Sequence, residues 1–324
     1  MRILICGGAG YIGAHMVKML AVAGHEVTVF DNLSTGHRSA VRWGELVEGD
    51  LLDMAALQRV FARRCFDSVM HFSAMSQVGE SVRNPYAYYR NNVMGSLNLL
   101  EAMRQADVDR LVFSSTAAVY GMPVGDVLDE THSTEPINPY GASKLMVERM
   151  LQDAAQAYGL RSAALRYFNA AGADPDGEIG ESHTPETHLI PNVLQNALGH
   201  SDDLQVYGND YTTRDGTCVR DYVHVVDLAT AHLLALSYLD DHPGAHQFNL
   251  GNGTGYTVME IIETARRVTC RPIDFKLAPR RLGDPPVLVA DATRATRLLG
   301  WQPRFADVQN IIETAWRWQC APLY

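Results

Sequence analysis

The 324-residue chain has few of the marks that would tie a protein to a membrane, a polymer or an oxidising compartment. Its five cysteines, Cys6, Cys65, Cys218, Cys270 and Cys320, are scattered, odd in number and form no CxxC pair. That excludes a disulfide framework and a thiolate zinc site. No stretch approaches the roughly 18 apolar residues of a membrane span. The first apolar run, Ile3 to Cys6, is strand-sized and runs into glycines, too short for a signal peptide. Positive charge is scarce: 27 Lys+Arg stand against 37 Asp+Glu, a net charge of -10. Nucleic-acid phosphates and anionic membrane surfaces are therefore repelled, and any bound phosphate has to be held locally by a few arginines or by backbone N–H groups. The expected protein is reduced, cytoplasmic and without nucleic-acid or membrane partners.

What is present is ordinary globular chemistry, 47% hydrophobic and 20% charged, in a length that suggests two domains. In the first half, short apolar runs at Arg2–Cys6, Glu26–Phe30, Ser68–Phe72, Arg110–Ser114 and Arg161–Arg166 alternate with helix-length patterns at Ile12–Ala23, Met54–Arg64, Tyr86–Arg104 and Tyr140–Tyr158. Strands alternating with helices predict βαβ units, right-handed crossovers and a parallel sheet. From Asn169 to Thr187 the chain is rich in Gly, Pro, Asp and Glu, a domain crossing. Beyond it, strand candidates Leu204–Tyr207, Gln247–Leu250, Pro272–Lys276 and Val287–Ala290 mix with helices Leu189–Leu198, Val226–Asp240, Val258–Thr269 and Phe305–Trp318. The expected fold is α/β: a Rossmann-type doubly wound parallel sheet over 1–168 and about 223–246. A smaller α/β substrate domain is expected from 169–222 and 247–324.

Gly7, Gly10 and Gly13 form a G-x-x-G-x-x-G turn between the first strand and the first helix. Such a turn lets backbone approach a pyrophosphate and aims a helix N-terminus at its charge. Asp31 ends the second strand, 18 residues after Gly13. An acid there accepts both ribose hydroxyls and repels a 2′-phosphate, which favours NAD over NADP. Arg38, in the next loop, is the feature that argues the other way.

Tyr140 and Lys144, in NPYGASK, lie four apart on one helical face. A nearby cation favours a phenolate, which makes Tyr140 a usable general base. Thr116 ends the preceding strand, where a parallel sheet presents ligands, and can share a hydrogen bond with a substrate hydroxyl.

These stretches, with DNLSTGHRSAV, YYRNNVMGSLNLL, LRYFNAAGADPDGEIGE, VRDYVHVVDLA and APRRLGDPPVLVAD, make the chain similar over almost its whole length to the UDP-galactose 4-epimerases, a branch of the extended short-chain dehydrogenases/reductases. The resemblance implies NAD as cofactor, a UDP-hexose as substrate and a homodimer formed by pairing the helices Tyr86–Arg104 and Tyr140–Tyr158. It implies that Tyr140 is the base, Lys144 its partner on the nicotinamide ribose, and Thr116 the group on the sugar 4-hydroxyl. Gly7, Gly10, Tyr11, Ile12 and Gly13 would form the phosphate turn. Asp31 and Asn32 would hold the adenosine ribose, and Asp50 and Leu51 would flank the adenine. Phe72, Ser73, Ala74, Asn92 and Tyr167 would line the cofactor. Asn169, Leu189, Arg220, Arg281 and Asp284 would meet the UDP-sugar, with Leu288 beside the C2 substituent. Ser76 and His188 depart from the pattern of some members, which carry lysine and asparagine there.

Three rival readings remain: a sugar-nucleotide 4,6-dehydratase, a decarboxylating synthase and a dinucleotide sensor without turnover. A sugar-nucleotide dehydratase places an Asp–Glu pair just after the threonine, where this chain has Ala117 and Ala118. A dinucleotide sensor without turnover would lose the tyrosine or the lysine, and both are present. His71 and His224 read as core histidines, and no His/Asp/Glu cluster has metal-ligand spacing, so no metal is expected.

Overall fold

The computed structural model describes residues 1–324 except Asp126, Asp202, Leu282 and Gly283. Its strands are Arg2–Cys6 (β1), Glu26–Asp31 (β2), Glu45–Glu48 (β3), Ser68–His71 (β4), Arg110–Thr116 (β5), Arg161–Tyr167 (β6), Asn169–Ala171 (β7), Gln205–Tyr207 (β8), Val219–His224 (β9), Ala245–Leu250 (β10), Gly255–Thr257 (β11), Lys276–Ala278 (β12) and Val287–Leu288 (β13). Seven of them form a wholly parallel sheet in the order β10-β6-β5-β4-β1-β2-β3. The chain builds outward from β1 in both directions, so the order reverses between β1 and β4, and a crevice opens beyond the carboxyl ends of those strands. Both faces of the sheet are covered, which is why its strands read as unbroken apolar runs rather than alternating ones.

One face packs the helices Tyr11–Val22 and Val225–Asp241 over Ile3, Ile5, Val29, Val112 and Leu165. The opposite face packs Met54–Arg63, Gly95–Gln105 and Pro139–Tyr158 over Leu4, Phe30, Val69, Leu111 and Phe113. A third core, drawn from residues between Ala171 and Ala315, joins the helices Leu189–Leu198, Val258–Thr269 and Val308–Cys320.

The large sheet and its core draw on segments distant in sequence. Strand β10 pairs with β6 throughout Ala245–Leu250, so the large sheet runs to Leu250 rather than stopping near 246. Ala295, Leu299 and Trp301 also pack into the first core, carried by the helix Thr293–Leu299. Trp301 is fixed there because its indole N–H donates to the Asp227 carbonyl at 2.9 Å. Gln247–Leu250 looks like an isolated strand in sequence because its partner is about 80 residues away, a distance that local pattern does not reach.

The helix expected over Tyr86–Arg104 is continuous, but it contains a π-helical turn at Tyr89–Met94. Such turns are common at functional sites, and this one carries Asn92.

Candidate active site

The glycine turn is dictated by backbone crowding. Gly7 has φ +83°, and a Cβ there would sit 2.5 Å from the Ser73 amide nitrogen. At Gly13 a Cβ would lie 2.1 Å from the Gly7 carbonyl oxygen. Gly10 precedes the helix Tyr11–Val22 and leaves it without a side-chain cap, so the N–H groups of its first turn remain for a ligand. Nearby, the buried Asp31 accepts the Ala9 N–H at 2.9 Å on one carboxylate oxygen and the Leu33 N–H at 2.8 Å on the other. Each oxygen keeps capacity for one more donor, as two vicinal hydroxyls require. Arg38 pairs with Glu48, which occupies the cation that argued for a 2′-phosphate. Asn32 donates to Asp50 at 2.8 Å, and Leu51 lies buried against Gly95. The Phe72 and Ser73 amides both donate to the Cys6 carbonyl, at 2.7 and 3.1 Å, which fixes the segment through Ala74 against the end of β1. These features fit a dinucleotide: an uncapped helix start, a turn with no room for side chains, and a two-oxygen acceptor.

The catalytic corner is built at the end of β5. Thr116 closes the strand, and its hydroxyl accepts the Ala118 N–H at 3.1 Å. The helix Pro139–Tyr158 starts opposite, with Asn138 capping the Gly141 N–H at 2.8 Å and Pro139 at its first position. Gly141 is required for the approach, since a Cβ there would lie 2.3 Å from the Ala118 carbonyl oxygen. This contact brings Tyr140 to Thr116. Burial raises the Tyr140 phenol above its ordinary range, and the Thr116 hydroxyl pulls it part of the way back.

Lys144 is fully enclosed, and burial lowers its ammonium to about 7, opposed by the charge of Glu148. Its Nζ donates to the Ser114 carbonyl at 2.7 Å and lies 4.8 Å from the centre of the Phe113 ring. Asn92 bonds the Ser143 hydroxyl at 3.0 Å and both backbone groups of Met75, so the π turn ties the catalytic helix to the loop after β4. The Tyr167 hydroxyl pairs with His232 Nε2 at 2.5 Å, and His232 lies 4.7 Å, centre to centre, from Phe72.

The residues assigned to a UDP-sugar divide into a connected set and Leu189. Strand β9 pairs with β7 and β13, in a register that sets Leu288 opposite Arg220. Arg220 is ion-paired with Asp284 and donates to the Pro285 carbonyl at 2.9 Å. Asn169 donates to the Asp221 carbonyl at 2.9 Å. Leu288 packs against the apolar cluster of Ala117, Val119 and Tyr120 that follows Thr116. Arg281 is exposed and stacked 3.9 Å from the centre of the Tyr207 ring; its carbonyl accepts the Asp284 N–H at 3.3 Å, and it lines one cleft of about 370 Å³ with Asp284, Tyr211 and Met122. Leu189 opens a separate helix.

Sequence reasoning missed the group behind the corner. Glu148 and Arg166 form a buried ion pair, Ser115 donates to Glu148 at 2.5 Å, and Arg166 donates to the Tyr120 hydroxyl at 3.0 Å. Glu148 follows Lys144 by one helical turn, and that spacing was the available signal. The buried Asp221 accepts three backbone N–H groups, from Asn252, Gly253 and Ala290, yet burial still raises it to about 6.

Comparison with known proteins agrees with this geometry. Residues 3–251 match the model of the NAD dependent epimerase/dehydratase family. The chain is 50% identical over 318 residues to a UDP-glucose 4-epimerase of Halalkalibacterium halodurans, covering 98% of this chain and 95% of the relative. It is 47% identical over 323 residues to a UDP-glucose 4-epimerase of Corynebacterium glutamicum, covering 99% and 96%. Its fold superposes with a TM-score of 0.95 on the UDP-glucose 4-epimerase of Brucella ovis in complex with NAD, at 50% identity over 97% of each chain. On the Bifidobacterium longum enzyme in complex with NAD+ and UDP the score is 0.94, at 37% identity over 99% and 98%. With that likeness along almost its whole length, and a dinucleotide turn facing a Thr–Tyr–Lys corner, the chain belongs to the NAD dependent epimerase/dehydratase family.

Proposed function

We propose that the protein is a UDP-glucose 4-epimerase that interconverts UDP-galactose and UDP-glucose on a tightly held NAD. The observation that carries this reading is the corner itself. Thr116 and Tyr140 converge at one point, Lys144 lies one helical turn behind, and Ala117 and Ala118 occupy the places of a dehydratase's acids. NAD+, when bound, supplies a hydride acceptor and a positive charge near the phenol.

Thr116 and Tyr140 hold the sugar 4-hydroxyl. Tyr140 takes its proton as the C4 hydride departs and returns it once the 4-keto sugar has turned over, which is general base and then general acid catalysis by one group. Lys144 uses one of its donors on Ser114, leaving the others for a ribose hydroxyl. Gly7, Gly10 and the first turn from Tyr11 to Gly13 hold the pyrophosphate. Asp31 and Asn32 hold the adenosine ribose, Asp50 and Leu51 border the adenine, and Phe72, Ser73, Ala74, Asn92 and Tyr167 border the nicotinamide half. Rotation of the keto sugar needs a grip elsewhere, and Arg220 and Arg281 suit it, since guanidinium is a fork-shaped cation for a diphosphate. Asn169, Leu189 and Asp284 complete that grip.

The same reading includes a homodimer, with 1–168 and about 223–250 as the dinucleotide-binding part. Tyr86, Met94, Leu97 and Met146 are exposed on the two helices expected to pair, which supports the interface. A cytoplasmic setting accords with five free thiols.

The test is interconversion of UDP-galactose and UDP-glucose by the purified protein with no NAD added, using substrate deuterated at C4. Conversion with the label kept in the product is expected. No conversion, or wash-out of deuterium into solvent, would overturn the proposal.

A further inference from the structure

The loop from β7 to the helix Leu189–Leu198 gathers four side chains whose sequence spacing carries no metal signature. Glu181, His183, Glu186 and His188 each direct one ligand atom to a common point, all within 4.8 Å of one another. His188 Nδ1 lies 2.8 Å from Glu181 and 2.9 Å from Glu186, and His183 Nδ1 lies 3.3 and 3.7 Å from the same two carboxylates. Both carboxylates are buried, with 6% and 5% of their side-chain surface exposed. The spacing E-x-H-x-x-E-x-H fits neither helix nor strand, so only the irregular loop reveals the convergence.

Hydrogen bonds alone leave this group unsatisfied. An imidazole Nδ1 carries at most one hydrogen and can point it at one oxygen; His188 Nδ1 meets Glu186 Oε1 at 2.9 Å, which leaves its contact with Glu181 unmatched, and His183 Nδ1 faces two carboxylates at 3.3 and 3.7 Å. His183 Nδ1 is buried and makes no hydrogen bond of proper geometry. Glu186 already accepts the Thr187 and His188 N–H groups, at 2.7 and 2.8 Å, which fixes its carboxylate rather than leaving it to follow a histidine. Two imidazole nitrogens and two carboxylate oxygens form a tetrahedral zinc set, and ligand bonds of about 2.0–2.2 Å place neighbouring donors about 3.3–3.6 Å apart. The His183 Nδ1 separations, 3.3 Å to Glu181 Oε1 and 3.7 Å to Glu186 Oε2, lie at that spacing, whereas the His188 Nδ1 contacts of 2.8 and 2.9 Å are at hydrogen-bond length and would open by about 0.5 Å around an ion. The neighbouring group Asp174, Asp176 and Glu178 offers no such case, because the Lys18 ammonium sits among all three.

We infer that Glu181, His183, Glu186 and His188 bind a divalent first-row transition ion, zinc by preference, as a structural clasp. The clasp lies apart from the hydride chemistry and joins the two sides of the site. The loop is held to the dinucleotide side by the Tyr11 hydroxyl on the Gly172 carbonyl at 2.6 Å and by His37 on the Ser182 carbonyl at 3.0 Å. His188 leads directly into Leu189 and the helix of the substrate side. A metal here fixes the start of that helix relative to the phosphate turn.

The experiment is metal analysis of protein purified without a metal-affinity step. Stripping with a chelator, zinc titration against a chromophoric competitor, and melting temperature with and without zinc then follow. One equivalent of zinc per chain is expected, together with a melting temperature that rises with free zinc. The double variant His183→Asn, His188→Asn, with its circular dichroism checked, should bind zinc at least about 100-fold more weakly. If that variant does not fold, Glu186→Gln in the stripped chain serves the same comparison. A folded, stripped chain that takes up no zinc and shows no shift in melting would overturn the clasp. So would zinc binding unchanged by loss of the ligands. None of these readouts depends on epimerase activity.

Discussion

The two halves of the candidate site are constructed differently. The catalytic corner is backbone-built: Thr116 ends a central strand, Tyr140 begins a capped helix, and Gly141 lets the two meet. The substrate side is built from two short pieces, Arg220 on β9 and the stretch that carries Arg281, Asp284 and Leu288, joined by the pairing of β13 with β9 and by the Arg220–Asp284 ion pair. Chemistry that depends on tenths of an ångström is placed where the sheet fixes position. On the proposed function, recognition of the UDP-sugar falls instead to short strands and the loop between β12 and β13.

The sharpest test of the contrast is Tyr140→Phe. It removes one oxygen and keeps the ring, so the corner should fold and retain NAD while turnover falls by roughly 10²–10⁴-fold or more. Turnover near that of the parent would remove Tyr140 from the mechanism and dissolve the distinction between the halves.

Legibility in the sequence followed the same division. The βαβ alternation, the glycine turn with Asp31 and the NPYGASK stretch are local patterns, because each lies within one strand–turn–helix unit. The placement of β10 beside β6, the Glu148–Arg166 pair and the Glu181–His188 cluster depend on residues that only tertiary packing brings together. The substrate side was legible through family resemblance alone, since no period or spacing marks Arg281 or Leu288.

A second test asks how far the corner depends on what lies behind it. Glu148→Ala leaves Arg166 buried without its carboxylate, and breaking such a pair costs about 3–5 kcal/mol. Chemical denaturation should show that loss. A loss below about 1 kcal/mol, the size of a surface pair, would mean that β5 and the sheet alone hold the corner.

The corner also carries a buried ammonium, where the substrate side buries the carboxylate of Asp221. Burial lowers Lys144 to about 7 from an ordinary 10.5. Between those values the unfolded chain holds a proton that the folded chain does not, so Lys144 makes stability rise with pH across that window. The slope from one proton is at most about 1.4 kcal/mol per pH unit. In protein stripped of nucleotide, Lys144→Met should flatten the rise of the urea midpoint from pH 7 upward. Parallel profiles for parent and variant would show that the ammonium is solvated and the corner less closed than its geometry implies.

The smallest expected effect lies on the substrate side. Leu288 sits opposite Arg220 in strand register and rests on the cluster after Thr116, between the diphosphate grip and the catalytic corner of the proposed function. It is half-buried, so it can face a ligand while touching the core. A leucine there leaves less room than serine for an N-acetyl group at C2. Adding one or two methylenes to a packed site costs roughly 1–3 kcal/mol. UDP-glucose should therefore be preferred to UDP-N-acetylglucosamine. Leu288→Ser should raise kcat/KM for the N-acetyl sugar about ten-fold or more, the scale of a methylene-sized change in a pocket, and leave UDP-glucose within a few-fold of the parent. Equal use of both sugars by the parent would show that the pocket already accommodates the larger substituent. A Ser variant with unchanged selectivity would assign Leu288 to the core, and the discriminating contact would then lie among the neighbours of Arg281 and Tyr211 that line the cleft.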